Sequence, residues 1–169
     1  NTSRNNEPIG EESSVDFDGQ IIHSSEGTFV KKRSLYGTDA YYGSTSLTKL
    51  STLDFTDSQW WTRQDRDFTP KDIVFLDTET TGLSGGLGTY AFLIGLGFIT
   101  EEGLVVEQYL MRDFDEEYPM LKSVLDILEN YRVLVTFNGK SFDWPLMESR
   151  LIYSRLKPLH WENAHLDLL

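Results

Sequence analysis

Two acidic residues separated by one position follow an apolar run near the middle of the chain. Asp77 and Glu79 come directly after the stretch Ile73–Leu76. Residues i and i+2 of a β-strand point to the same face, so the two carboxylates converge if this stretch is a strand. Like charges that close raise each other's pKa, and a hard divalent cation relieves the repulsion. The pair predicts half of a metal site, although two solvated acids at a strand end would have the same spacing.

A third acid belongs to a second motif. Asp143 ends the sequence FNGKSFD, which follows the apolar run Val133–Thr136, and Pro145 suits the first turn of a helix. A right-handed crossover between two parallel strands would bring Asp143 close to Asp77 and Glu79. The alternative is an ordinary acid near a helix N-terminus, where backbone dipoles favour a carboxylate. We predict that Asp143 joins the other two acids in the metal site.

The two motifs are more specific together than apart. DTETTG (77–82) and FNGKSFD (137–143) resemble the first two motifs of the DEDD exonuclease superfamily, which has a ribonuclease H-like fold and cleaves nucleic acids from the 3′ end. The run TGLSGGLGTYAFLIG (81–95), with FNGKSFDWPLMESR and HLDLL downstream, is similar to the YprB-type bacterial family of ribonuclease H-like predicted exonucleases. This resemblance covers about residues 71–169.

The resemblance implies hydrolysis with two divalent metal ions, Mg²⁺ or Mn²⁺. Asp77 would contact both ions, Glu79 and a further acid would hold one, and Asp143 would help to place the other. One ion activates water and the other stabilises the leaving 3′ oxygen. Superfamily members carry the fourth acid in a third motif, HxxxxD or YxxxD, beyond the position of Leu169 in this chain. We therefore expect this chain to lack that acid and to be inactive or weak alone.

Several uncharged residues near the acids are candidates for substrate contact. They are Thr80, Thr81, Gly82, Leu83, Asn138 and Phe142. Gly82 would let a nucleotide approach the backbone closely, and Leu83 would wedge against a terminal base. The glycine-rich stretch 82–88 lacks the Lys-Ser/Thr ending of a P-loop, and a flexible hairpin is its other interpretation. The ligand implied by the resemblance is the single-stranded 3′ end of DNA or RNA.

Composition restricts the remaining interpretations. The chain has 169 residues, a net charge of −12 and no cysteine, so disulfides and thiolate zinc sites are excluded. The charge argues against binding nucleic acid through an overall positive field, but bound cations would reverse the local sign. The one basic cluster, Lys31, Lys32 and Arg33, has two interpretations: nucleic-acid contact or, preferably, a solvated strand edge. No apolar stretch reaches the length of a membrane span, and we expect a cytoplasmic protein without membrane contact.

The chain is predicted to have three parts. Residues 1–27 read as a polar, mobile arm, 28–70 as an extension that packs on the core, and 71–169 as the ribonuclease H-like domain, incomplete at its C-terminus. The expected fold is α/β: a mixed sheet of three antiparallel strands followed by parallel strands, with crossover helices on both faces. Strands are predicted at 71–77, 90–98, 104–111 and 133–137, with helices from Pro119 and near Pro145.

Two interpretations compete with the exonuclease. A nucleic-acid-binding or scaffold module could keep the fold without catalysis, and protein partners could bind regions absent from this chain. A ribonuclease H-like endonuclease would use the same carboxylates and ions. His165 and Asp167 alternate with Leu166 and Leu168 as in a half-buried strand, so we predict a structural or supporting role for them.

Overall fold

A seven-stranded mixed β-sheet is the frame of the structure, a computed structural model that describes residues 17–51, 68–82, 88–159, 161 and 165–169. In chain order the elements are β1 (Gln20–Ser24), β2 (Gly27–Gly37), β3 (Tyr41–Tyr42), β4 (Thr45–Ser46), α1 (Thr48–Ser51), a 3-10 turn (Pro70–Asp72), β5 (Ile73–Thr80), β6 (Ala91–Ile99), β7 (Gly103–Leu110), a second 3-10 turn (Phe114–Glu116), α2 (Glu117–Leu128), β8 (Val133–Thr136), α3 (Asp143–Tyr153) and β9 (His165–Asp167). In these described ranges, no helix combines the length and apolar character needed to cross a bilayer.

The large sheet combines an antiparallel and a parallel half. Its strand order is β1-β2-β7-β6-β5-β8-β9, and β3 and β4 form a separate small hairpin. Strands β1, β2, β7, β6 and β5 pair antiparallel in succession, whereas β5, β8 and β9 are parallel. Parallel neighbours need long connections, and α2 and α3 lie in those connections. The predicted mixed sheet, with three antiparallel strands followed by parallel strands and helical crossovers, is confirmed.

Strands β1 and β2 widen the antiparallel half beyond the predicted domain. β2 pairs with β7 from Val30 opposite Leu110 to Gly37 opposite Gly103, and β1 pairs with β2. Residues 20–27, which the sequence analysis assigned to the N-terminal arm, therefore belong to this sheet. Residues 1–16 of that arm and residues 52–67 of the extension lie outside the described residues.

One face of the sheet, called here the helical face, packs against α2 and α3. The pairing register places Leu76 of β5 opposite Leu96 of β6, and both are almost fully buried. The apolar core on this face includes Val74, Leu76, Ile94, Leu96, Tyr109, Met120, Leu121, Val124, Leu134, Trp144, Met147 and Leu151. Removal of these side chains from water is the main force that holds the helices on the sheet. Both long helices of the described residues lie on this face, whereas the prediction placed helices on both faces.

The opposite face of the sheet, called here the open face, has a smaller apolar cluster. Phe68, Ile73, Val133 and Val135 form it, with Leu166 packed against them. Farther along β5 on the same face, Phe75 is 36% exposed. The open face is therefore covered by apolar side chains at β8 and β9, and it is more accessible to solvent near the centre of the sheet.

A buried carboxylate joins β2 to β7 on the helical face. Glu107 is 1% exposed and accepts hydrogen bonds from Arg33 at 2.5 Å and from the Tyr109 hydroxyl, while Lys31 lies 2.9 Å away. Burial acts to raise the pKa of Glu107, but hydrogen bonds from Tyr109, Lys31 and Arg33 hold this pKa below its usual value. Two cations of the basic cluster therefore bind an internal acid, rather than only forming a solvated strand edge. Lys32, between them, points to the open face.

Replacing Glu107 by Gln should lower the free energy of unfolding by about 1–3 kcal/mol, because the neutral amide leaves Lys31 and Arg33 poorly compensated. The pKa of Glu107 is lower in the folded than in the unfolded chain, so its stabilisation is present above the unfolded pKa. It is lost as the pH falls through the folded pKa. Urea unfolding at neutral and acid pH should therefore show a difference between the two chains that shrinks in acid.

Glu101→Gln is the control for this prediction, because Glu101 forms an ion pair with Lys71 in which both side chains are mostly exposed. This substitution should leave the urea midpoint nearly unchanged. Equal destabilisation by both substitutions would contradict a special role for the buried acid.

Candidate functional site

The sheet opens at the carboxyl end of β5. On one side β5 pairs with β6 as far as Thr80, but on the other it pairs with β8 only from Ile73 to Phe75. β8 ends at Thr136, and the chain then turns away to begin α3. The last residues of β5 therefore border a gap between this strand and the segment that leads into α3. Ligands commonly bind outside the carboxyl ends of strands in open α/β sheets.

Alternation along β5 divides its last residues between the two faces. Asp77 and Glu79 lie on the side of the open face, whereas Thr78 and Thr80 lie on the side of the helical face. The pairing with β6 shifts register between Glu79 and Thr80, an irregularity of the kind that redirects side chains at strand ends. The two acids thus share one side of the strand where its regular pairing ends.

Asp143, the first residue of α3, is connected to β5 through Thr78. The Thr78 hydroxyl donates a hydrogen bond to the Asp143 carboxylate, with 2.5 Å between the oxygens. Thr78 points to the other side of the strand from Asp77 and Glu79, but the bond holds Asp143 close enough for its charge to act on Asp77. A neutral hydroxyl does this without adding a positive charge.

The charges of these acids act on Asp77. Partial burial raises the pKa of Asp77, and the negative charges of Asp143 and Glu79 raise it further. Within the described ranges, none of the three carboxylates forms an ion pair with a lysine or arginine. In the same part of the chain, no three Asp, Glu or His side chains lie close enough to bind one metal ion as they stand. The site thus carries negative charge around Asp77 that a cation would stabilise. Its acids do not form a closed set of metal ligands.

The turn between β8 and α3 is held by Asp167 of β9. Its carboxylate accepts hydrogen bonds from the Thr136 hydroxyl and from the backbone N–H groups of Gly139 and Lys140, all at 3.0 Å. Burial acts to raise the pKa of Asp167, but these hydrogen bonds keep it below its usual value. Asn138 has a φ of 60°, a left-handed conformation that Asn adopts more readily than most residues. Asp167 therefore fixes the loop from which α3 starts.

His165 supports the same loop. Its Nε2 lies 2.9 Å from the Thr136 hydroxyl, and its ring packs edge-on against Trp144. Burial and the nearby charge of Lys140 lower the pKa of His165, which favours the neutral ring. These contacts agree with the supporting role predicted for both polar residues of β9.

A cleft of about 780 Å³ lies between the end of β5 and α3. Six predicted site residues line it: Asp77, Thr80, Gly82, Asn138, Phe142 and Asp143. Glu79 is not part of this lining, although it lies on the same side of β5 as Asp77. Thr81 is engaged with Tyr90 by a backbone hydrogen bond at 3.0 Å and a side-chain hydrogen bond at 3.1 Å. Leu83 lies outside the described residues.

Other residues of the cleft were not predicted. They are Thr78, Thr89, Ser149, Arg150 and Tyr153, together with Pro145, Leu146, Phe137 and Ser141. Leu146, Ser149 and Tyr153 follow Asp143 at steps of three or four residues, so one side of α3 forms the wall of the cleft. Helical spacing counted from Asp143 is the signal that could have identified them.

Comparisons with known proteins agree with this fold, and the matched residues include Asp77, Glu79 and Asp143. Residues 74–169 match the model of a family described as the RNase_H superfamily, and the match covers more than half of the chain. The chain therefore belongs to the RNase_H superfamily. It is also 40% identical over 106 residues to the uncharacterized protein YprB of Bacillus subtilis (strain 168). That alignment covers 62% of this chain and 25% of the relative, so the chain spans about a quarter of the length of this relative.

Replacing Asp77 by Asn should slightly raise the melting temperature at neutral pH in EDTA. The folded state raises the pKa of Asp77, so the ionised group opposes folding above that pKa, and stability is recovered as the pH falls through it. A neutral amide removes this repulsion from Asp143 and Glu79. The melting temperatures of the two chains should converge below the unfolded pKa.

Glu102→Gln is the matched substitution for Asp77→Asn, because Glu102 is an exposed acid in the turn between β6 and β7. It should leave the melting temperature unchanged at both pH values. Destabilisation by Asp77→Asn at neutral pH would show that the carboxylate is compensated in the folded chain, contrary to this electrostatic description.

Replacing Gly139 by Ala should destabilise the chain by about 1–3 kcal/mol, the usual effect of overpacking. A Cβ at Gly139 would lie 2.4 Å from Cβ and 2.7 Å from Oγ1 of Thr136, the residue that binds Asp167. Gly88→Ala is the control, because a Cβ there meets no atom of the described residues within 4 Å. Chemical denaturation of both variants measures the difference, and similar midpoints would argue against a tightly packed turn.

Proposed function

We propose that this RNase_H superfamily member is a metal-dependent 3′–5′ exonuclease domain that hydrolyses phosphodiester bonds of DNA or RNA. The observation that carries the proposal is the position of Asp77. Its pKa is raised by partial burial and then by the charges of Asp143 and Glu79, and it lines the cleft together with Asp143. Two acids whose negative charges act on a third at the end of a central strand support a role in binding cations rather than in holding the fold.

The donor set fits hard divalent ions. Carboxylate oxygens are the ligands that Mg²⁺ and Mn²⁺ prefer, and the described residues offer these three acids no lysine or arginine as a salt-bridge partner. Asp77, Glu79 and Asp143 would hold two such ions with a fourth acid of the DEDD pattern. When bound, the ions would activate water and stabilise the leaving 3′ oxygen.

The chain's own residues would orient both the acids and the substrate. Thr78 holds the Asp143 carboxylate against β5, and Asp167 holds the turn that carries Asn138. Asn138 and Phe142 line the same cleft and are 5 and 1 positions from Asp143 in the chain, on the side where the 3′-terminal nucleotide would lie. We assign Thr80 and Gly82 to the opposite wall and Thr81 to the segment that follows β5, and Leu83 remains a substrate contact predicted from the sequence alone.

A non-catalytic nucleic-acid-binding or scaffold module is the second candidate. It is favoured by the lack, among the described residues, of three carboxylate or imidazole groups arranged to share one ion. In that case Thr78 would keep Asp143 in a structural hydrogen bond, and the cleft would bind a nucleic acid without cleaving it. The two functions differ in whether Asp77 is needed for bond cleavage.

Digestion of 5′-labelled single-stranded DNA and RNA with Mg²⁺ or Mn²⁺ tests the proposal. We expect the natural protein that contains this sequence to produce a ladder shortened one nucleotide at a time from the 3′ end. Asp77→Asn should abolish the ladder, because the ion-binding charge is lost, and EDTA should have the same effect. The 169-residue chain alone should be weaker, as expected if the fourth acid is not among its residues.

Glu102→Gln serves as the active control, since this acid is exposed and remote in the fold from β5 residues 77–79. If the digestion yields internal fragments instead of a one-nucleotide ladder, the protein is an endonuclease and the exonuclease proposal is wrong. An intact substrate that the folded protein nevertheless binds would support the non-catalytic module instead.

A further inference from the structure

The cleft continues beyond the acids along α3. Its lining runs from Asp143 at the first residue of the helix, through Leu146 and Ser149, to Tyr153 at the last. At 1.5 Å per residue, this wall is about 15 Å long. It is longer than the carboxylate site itself requires, and the described residues that line its far end include no acid.

Tyr153 at this far end is a large, accessible aromatic side chain. It is 56% exposed, although it lies at the end of a helix whose opposite side is buried in the core. Ile152, its neighbour, is 60% exposed but does not line the cleft. The two side chains are thus similarly accessible, and only Tyr153 faces the space that leads to Asp143.

The surroundings of Tyr153 restrain its ring. The Arg150 guanidinium carbon lies 5.6 Å from the centre of the Tyr153 ring and 3.9 Å from that of Tyr90. Arg150 itself is 6% exposed and donates two hydrogen bonds of 2.6 Å to the two carboxylate oxygens of Glu117 in α2. A buried ion pair therefore holds a planar cation beneath an exposed ring at the end of the cleft.

The ion pair also indicates which part of a nucleotide this end would contact. The charge of Arg150 is neutralised by Glu117, so the end of the cleft is a weak place for a phosphate. An aromatic face, by contrast, stacks on any base whatever its sequence. Such stacking requires a base whose faces are free, as in a single strand.

We propose that Tyr153 stacks on the base of an unpaired nucleotide on the 5′ side of the bond at Asp77 and Asp143. This inference rests on the proposed function, because it places the scissile bond at the acids. It extends that function by assigning the α3 wall to a strand of several nucleotides, and it makes Tyr153 a substrate-binding residue. A short substrate that occupies only the acidic end does not reach this ring.

Fluorescence anisotropy with 5′-fluorescein oligothymidylates tests the proposal, with Ca²⁺ replacing Mg²⁺ to suppress cleavage. Tyr153→Ala should weaken binding of an octanucleotide about tenfold, in the range of a lost base stack. Tyr153→Phe keeps the ring and should restore binding. Ile152→Ala, at a similarly exposed position outside the cleft, should bind like the unchanged chain.

Two further readouts separate stacking from a general structural effect. Binding of a dinucleotide should be the same in Tyr153→Ala and in the unchanged chain, because it does not extend to the end of α3. The salt dependence of octanucleotide binding should keep its slope, because no phosphate contact is lost. Equal octanucleotide binding by all four chains, or equal weakening of both oligonucleotides by Tyr153→Ala, would overturn the proposal.

The outcome for Tyr153 is distinguishable from that for the proposed activity. Binding that depends on Tyr153 without any cleavage by the natural protein would support the stacking role and reject only the exonuclease. Absence of oligonucleotide binding in the unchanged chain would overturn both proposals together.

Discussion

The unequal pairing of β5 is the constraint on which the arrangement of the site depends. Its antiparallel partner β6 accompanies it to Thr80, whereas its parallel partner β8 pairs only as far as Phe75. A strand supported on one side alone keeps its course while leaving the other side unoccupied by backbone. The space next to Asp77 therefore results from strand lengths, and the surrounding core does not have to be disturbed to create it.

Hydrogen bonds from uncharged donors to carboxylates, together with a buried ion pair, set the borders of this space. Thr78 connects Asp143 to the strand, Asp167 holds the turn before α3, and Arg150 joins α3 to Glu117 of α2. None of these contacts places a free cation against Asp77. The protein thus positions its acids without neutralising them. A ligand of opposite charge would therefore be stabilised by relieving the repulsion that acts on Asp77.

Local sequence patterns predicted most of the central elements. Strands expected at 90–98 and 104–111 lie at Ala91–Ile99 and Gly103–Leu110, because alternation and turn residues act over short distances. β1 was assigned to a polar arm, since its side chains are largely exposed and it belongs to the sheet only through pairing with β2. Asp77 and Asp143 were identifiable from motifs, whereas Tyr153 was not. Helical spacing from Asp143 could have placed Tyr153 on the cleft side of α3, but no local pattern contains the contact of its neighbour Arg150 with Glu117, 33 residues away.

The buried carboxylate of Glu107 has a consequence for how the chain reaches its folded state. Its partner Arg33 is 74 residues away, and β2 can complete its pairing only when β7 is present. On a ribosome, the hairpin of β1 and β2 would emerge well before that partner, with one edge still unsatisfied. Contacts of such large sequence separation slow folding and prolong the lifetime of exposed strand edges. We therefore expect the hairpin of β1 and β2 to join the sheet late in folding, although its strands are synthesised before the other strands of the sheet.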